Sequence, residues 1–202
     1  MWKVDFHMHS RFSHDSSTKL EDLVAAARRL GLDRIALTDH NTAEGALLLH
    51  EQEPELVIAG EEVKTTEGEV IGLFITRSLK TWQRPEAVMD EIHEMGGLVY
   101  IPHPFDRWRA NFAPHRLVAL ADRVDVIEGY NQWADAGANQ AATEIARELG
   151  KPVGFGSDAH SVAELGHSWM EVEPFEGPSD LLQKLSRASG HQTEVSGTQR
   201  RA

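Results

Sequence analysis

There is no cysteine in this chain, so it can form neither a disulfide nor a thiolate metal site, and any ion it holds must sit on nitrogen and oxygen ligands. Long apolar runs are missing too. Nothing is long enough to span a bilayer, and Met1 to His9 alternates polar and apolar residues where a secretory signal would be continuously apolar. A cytoplasmic protein without a membrane partner is expected. Positive charge is scarce, with Lys+Arg 20 against Asp+Glu 32. The net charge of −12 disfavours the basic track that long nucleic acid requires. What remains is ordinary for a soluble globular chain: 202 residues, 41% hydrophobic and 26% charged. That length suits one domain with a core burying roughly 70% of the unfolded surface. The unusual abundance is histidine, at 11 residues, and metal ligation or a charge switch are the main physical reasons to collect imidazoles.

Short apolar runs alternate with helix-period segments, the pattern of a mostly parallel sheet wrapped by helices. Strands are expected at Lys3 to Phe6, Arg34 to Leu37, Leu56 to Ala59, Leu98 to Ile101, Val124 to Ile127, Val153 to Phe155 and Trp169 to Val172. A hairpin is expected within Val63 to Ile75, around Thr66, Glu67 and Gly68. A capping box of Thr18 and Glu21 announces a helix carrying Leu20, Leu23, Val24, Ala27 and Leu30, closed by Gly31. Further helices are read at Ala43 to Glu51, Pro85 to Met95, Pro114 to Ala121, Asn139 to Leu149 and Ser179 to Ala188. From Gly190 the residues are small, polar and basic without periodicity, so residues 190–202 read as a flexible tail after a single domain at 1–189. No pattern sets an oligomeric state.

Asp5, His7 and His9 lie two residues apart on the first strand and its exit, so their side chains share a face. Two imidazoles so spaced can grip one ion, and Asp5 either joins them or orients one of them. Asp39 and His40 follow the second strand, Glu61 and Glu62 the third. His103 follows the Leu98 strand, and Asp158 and His160 follow the Val153 strand. Strand ends of a parallel barrel converge on one rim, where crowded imidazoles and carboxylates call for a divalent cation.

These segments resemble the polymerase and histidinol phosphatase family, the PHP domain. The resemblance is carried by Asp5-Phe6-His7-Met8-His9, Thr38-Asp39-His40, Gly60-Glu61-Glu62, Pro102-His103-Pro104 and Ser157-Asp158-Ala159-His160, and it runs from Asp5 to about Val172. It implies a distorted seven-stranded β/α barrel of the TIM-like kind and two or three divalent ions, manganese, iron or zinc. By position, His7, His9, Glu62 and Asp158 would hold the first ion. Glu62 would bridge to a second, bound also by His103, and Asp15, His40 and His160 would hold the third. Glu62 is preferred to Glu61 because alternation turns Glu61 to the opposite face. Where the family commonly has a further histidine ahead of an apolar strand, this chain has Glu69, which can ligate through oxygen and favours manganese or magnesium.

The activity so implied is phosphoester hydrolysis on a small phosphomonoester, a nucleotide or a short oligonucleotide phosphate. Ions about 3.5–4 Å apart would share a water, lower its pKa to about 7 and aim it at phosphorus. His7, His9, Glu62, His103 and Asp158 would carry the reaction. Arg107 and Arg109, on the loop after His103, would clamp the phosphate. Two other classes remain open. One is an amidohydrolase-type C–N hydrolase, against which no lysine stands between ions except the poorly located Lys64. The other is a non-catalytic metal or ligand-binding module, whose mark would be a missing ligand. His14, His50, His93, His115, His167 and His191 read as solvated imidazoles, with His167 near enough to the last motif to touch substrate. Trp82, Trp108 and Trp133 could wall a pocket or simply pack.

Overall fold

A computed structural model describes residues 1–193. One sheet of nine strands runs in the order β7-β6-β5-β4-β3-β2-β1-β8-β9. Its strands are β1 (Trp2–Met8), β2 (Arg34–Leu37), β3 (Val57–Lys64), β4 (Glu69–Leu73), β5 (Leu98–Ile101), β6 (Val126–Asn131), β7 (Val153–Gly156), β8 (Ser168–Val172) and β9 (Ser189–Gln192). The helices are α1 (Leu20–Leu30), α2 (Glu44–Gln52), α3 (Pro85–Glu94), α4 (Pro114–Ala119), α5 (Ala136–Glu148) and α6 (Pro178–Leu185). None of them is long and apolar enough to cross a membrane.

Parallel pairing joins β1 to β2, β2 to β3, β5 to β6 and β6 to β7, while β4 runs antiparallel between β3 and β5. The ends of the sheet curl together. Asp158 N donates to His7 O at 2.7 Å, and His9 N donates to Ala159 O at 2.8 Å, so the exit of β1 meets the exit of β7. The result is a nearly closed barrel-like sheet. The expected seven strands are corrected to nine: the β3–β4 hairpin adds the antiparallel β4, and β9 pairs antiparallel on the outer edge of β8.

Three apolar clusters fix this wall. Leu23, Val24, Ala26 and Ala27 of α1, with Ala46 and Leu49 of α2, pack on Met8, Ile35, Leu37 and Val57. On the other flank Val88, Met89 and Ile92 of α3 pack with Val99, Ile101 and Ile127. Between them Phe6, Ala36, Ile58, Ile71, Tyr100 and Val126 form a third cluster, reached by Leu181 and Leu185 of α6. Phe6 and Tyr100 meet within it at a centroid distance of 6.2 Å. These buried side chains form the floor under the polar rim.

Most boundaries agree with the sequence reading, and the differences come from partners that the fold brings together. The capping box does not form: Lys19 is the N-cap of α1, and Thr18 Oγ1 donates instead to His160 O at 3.0 Å. The Thr18 hydroxyl thus ties the helix entry to the His160 loop. The tail expected from Gly190 begins as strand, since β9 pairs with β8 and Gly190 sits where a Cβ would collide with the Phe155 ring. The remainder of that tail, 194–202, lies outside the described residues.

Candidate metal centre

Each strand that reaches the rim delivers a ligand-type side chain there. His7 lies at the end of β1 and His9 just after it, His40 follows β2, Glu62 lies near the end of β3, His103 follows β5, and Asp158 and His160 follow β7. Glu69 opens β4. Because β4 is antiparallel to β3, its first residue lies at the same end of the barrel as the last residues of the parallel strands.

These groups converge. Candidate ligand atoms lie within 4.8 Å of one another in the sets His7, His9 and Glu62; His7, His103 and Asp158; His9, His40 and His160; and His40, Glu62 and Glu69. Asp15 joins at the edge, its Oδ2 lying 3.1 Å from His160 Nε2 and 3.4 Å from His40 Nε2. His7, His9, Glu62 and Asp158 are fully or almost fully buried.

The imidazoles are oriented by their outer nitrogens. Ser13 Oγ donates its one proton to Asp39 Oδ1 at 3.0 Å, so it must accept from His40 N at 2.9 Å and from His9 Nδ1–H at 3.0 Å. His160 Nδ1 faces the Asp158 carbonyl at 2.8 Å and can only donate to it. His7 Nδ1 faces Glu128 Oε1 at 3.0 Å and donates in the same way. With Nδ1–H so engaged in all three rings, Nε2 is the atom presented to the cluster. His7 Nε2 and His9 Nε2 stand 3.1 Å apart, His7 Nε2 is 3.2 Å from Glu62 Oε2, and His9 Nε2 is 3.1 Å from Asp158 Oδ1. Only a shared proton or a cation makes so close an approach of two imidazole nitrogens favourable.

The field inside the cluster is strong. Against the cost of burial, Asp158, Glu62 and Glu128 hold His7 well above the ordinary imidazole range. Burial, with His40 and His160 alongside, drops His9 to about 3. Glu62 stays well below the carboxylate range despite its burial because His40 and His7 face it, as His7 and Arg109 do for Asp158. Glu69 is pushed up by burial and by the neighbouring Glu62 charge. Within the ligand set, two buried atoms are left without a hydrogen-bond partner, Asp158 Oδ1 and His103 Nδ1. An orphaned carboxylate oxygen amid converging imidazole nitrogens is a donor set that fits a divalent ion. Both residues take left-handed backbone, φ 28 for His103 and φ 50 for Asp158, a strain of the kind that persists where surrounding contacts enforce it.

Arg107 and Arg109 part company. Arg109 Nη2 reaches Asp158 Oδ2 at 2.8 Å, whereas Arg107 is exposed and lies over the Trp108 ring at 5.1 Å. The structure thus brings Arg109, but not Arg107, to the cluster. In the turn closed by Arg109 N donating to Asp106 O at 3.0 Å, Arg107 and Trp108 are both exposed while Arg109 is turned toward the cluster. Glu61 faces away, its Oε2 accepting from Leu79 N at 2.8 Å. Lys64 Nζ lies over the Trp82 ring at 5.3 Å and takes no place in the cluster. Trp133 is buried and donates from Nε1 to Asp158 O at 3.0 Å, while Trp82 and Trp108 are exposed. His167 bonds Thr193 Oγ1 and Ala163 O, not the cluster.

Sequence reasoning missed Glu128 and Asn131 on β6. Glu128 is buried beside His7, and Asn131 Nδ2 donates to Glu128 Oε2 at 3.0 Å and lies 3.3 Å from Asp158 Oδ2. The available signal was a charge inside the apolar run Val126-Ile127-Glu128. Asp5 proves to be a clasp: its Oδ1 accepts from His7 N at 3.3 Å and Ser157 N at 2.9 Å, and burial, opposed by those bonds, lifts it to about 7.

Fold and site together define a barrel-like α/β protein with a histidine and carboxylate cluster suited to metal at the strand-end rim. The family profile of the PHP domain matches residues 5–122 and the PHP-associated profile residues 136–189; the chain belongs to the PHP domain family. An uncharacterized protein of Methanocaldococcus jannaschii is 31% identical over 167 residues, covering 73% of this chain and 93% of its own length. A second uncharacterized protein of that organism is 31% identical over 189 residues, 90% of this chain and 76% of its own. Among solved structures, a two-domain protein of Bacteroides vulgatus containing a predicted PHP-like metal-dependent phosphoesterase superposes with a TM-score of 0.78 at 21% identity. That match covers 95% of this chain, which spans 64% of the other protein's length.

Proposed function

We propose that this chain is a metal-dependent phosphoesterase acting on small phosphorylated compounds: phosphomonoesters, nucleotides or the phosphate ends of short oligonucleotides. The observation that carries the reading is the convergence of His7 Nε2, His9 Nε2, Glu62 and Asp158, with Nδ1–H of both rings turned outward to fixed acceptors. His7, His9, Glu62 and Asp158 would hold a first ion, Glu62, Glu69 and His103 a second, and Asp15, His40 and His160 a third. Divalent ions so held supply Lewis-acid activation of water and neutralise phosphate charge.

The chain's own residues do the rest. Asp39 and Ser13 hold His9 and the His40 backbone in place. Arg109, a guanidinium at the edge of the cluster and only partly exposed, can turn from Asp158 to a phosphate oxygen and bind it through two parallel donors. The floor of Phe6 and Tyr100 excludes water from below. A compact substrate anchored by one phosphate needs no basic track, in keeping with the net charge of −12.

The test is a panel of phosphomonoesters, phosphodiesters and cyclic amides, run on chelated protein with and without added Mn²⁺. Phosphate release that requires the ion supports the reading. Amide cleavage without phosphate release would transfer the site to C–N hydrolysis.

A further inference from the structure

Glu128 is a buried carboxylate that takes no place in the ligand sets above, yet four donors end on it. Its Oε1 accepts from His7 Nδ1 at 3.0 Å and Tyr100 Oη at 3.2 Å; its Oε2 accepts from His103 N at 2.6 Å and Asn131 Nδ2 at 3.0 Å. Those donors come from β1, β5, the turn after β5, and β6 itself. Three lead directly to the cluster: the His7 ring, the His103 backbone and, through Asn131 Nδ2, Asp158 Oδ2 at 3.3 Å. The chain makes room for the arrangement. Gly156 on β7 sits where a Cβ would collide with both Glu128 Oε1 and His7 Cβ.

We propose that Glu128 is the positioning residue that fixes His7 as an Nε2 ligand and, through the same carboxylate, sets the places of His103 and Asp158. This rests on the metal-centre reading above. An ionised carboxylate accepts at both oxygens, and it is the one side chain of this size that can satisfy four donors without contributing one. Glutamine is nearly isosteric but carries an NH₂ on one side. Whichever way it turns, that NH₂ meets two donors. If it faces His7, the ring must become the acceptor at Nδ1, and its proton moves to Nε2, the atom needed for the ion. If it faces His103 N and Asn131, the strained turn at His103 loses its anchor.

The experiment compares wild-type protein, Glu128→Gln and Tyr100→Phe, each stripped with chelator and titrated calorimetrically with Co²⁺, with visible spectra recorded at saturation. Ring ¹⁵N–¹H spectra of the zinc-loaded wild type report which His7 nitrogen carries the proton. Glu128→Gln is expected to lose about 10–100-fold in Co²⁺ affinity and to show an altered ligand-field spectrum. Tyr100→Phe, which removes a donor and keeps the carboxylate, is expected to retain wild-type affinity and spectrum. The wild-type His7 is expected to carry its proton on Nδ1. Wild-type affinity and spectrum in a folded Glu128→Gln would overturn the inference; so would a His7 proton on Nε2 in the zinc-loaded wild type, a readout that stands even if the glutamine variant fails to fold. A wild-type protein that binds no Co²⁺ would overturn the metal-centre reading itself, a result distinct from either.

Discussion

His7 and His9 point their Nε2 atoms at each other across 3.1 Å, with Nδ1 of one ring held by Glu128 and Nδ1 of the other by Ser13. Two lone pairs do not rest so close without something positive between them. A proton can serve in the empty protein and an ion in the loaded one, so metal uptake should expel protons. Protein as purified should hold more than one equivalent of transition metal. Removing His7 or Asp158 by alanine substitution should lower that content by about one equivalent or more, measured by elemental analysis; unchanged content would remove them from the ligand set.

Glu62 faces His7 at 3.2 Å, His40 at 3.1 Å and His103 at 3.0 Å, the central carboxylate of the cluster. Glu62→Ala and His103→Ala should each lower phosphoester turnover by more than ~100-fold, beyond the loss typical of outer partners. Circular dichroism should show the fold intact. Turnover near wild type in either variant would place the chemistry elsewhere.

Arg109 and Arg107 are separable by measurement. Loss of a charge-assisted hydrogen bond of roughly 1.5–3 kcal/mol predicts that Arg109→Ala lowers kcat/KM by about 10–150-fold. Arg107, stacked on exposed Trp108, should be replaceable by alanine with little effect. Equal losses in the two variants would mean that the loop moves as a unit on binding.

Substrate size follows from charge. With Lys+Arg 20 against Asp+Glu 32, a mononucleotide or other small phosphomonoester should be hydrolysed faster than a long single strand, and its rate should depend weakly on salt. Faster cleavage of the long strand, falling steeply with salt, would reveal a basic channel.

Much of this was legible because the information is local. Period-2 alternation places His7 and His9 together, and it separates Glu62, in the cluster, from Glu61, which turns to Leu79 N. Gly31 ends α1 in left-handed backbone, as expected of a helix-closing glycine. What stayed hidden depends on distant partners. Glu128 meets His7 across 121 positions of sequence, and Thr18 trades its expected cap for His160 O, 142 positions away. The strand β9 was invisible because Ser189-Gly190-His191-Gln192 has no apolar period and pairs only because β8 offers its edge. Arg107 and Arg109 share a loop, and only its path shows which of them reaches Asp158.

The most direct measurement is stepwise reconstitution: chelated protein titrated with Mn²⁺ while bound metal and phosphate release from a small phosphomonoester are followed together. The account predicts negligible turnover before metal is added, and activity that rises only as occupancy passes one equivalent. At most one weakly bound ion, or no phosphate release at full occupancy, would contradict it.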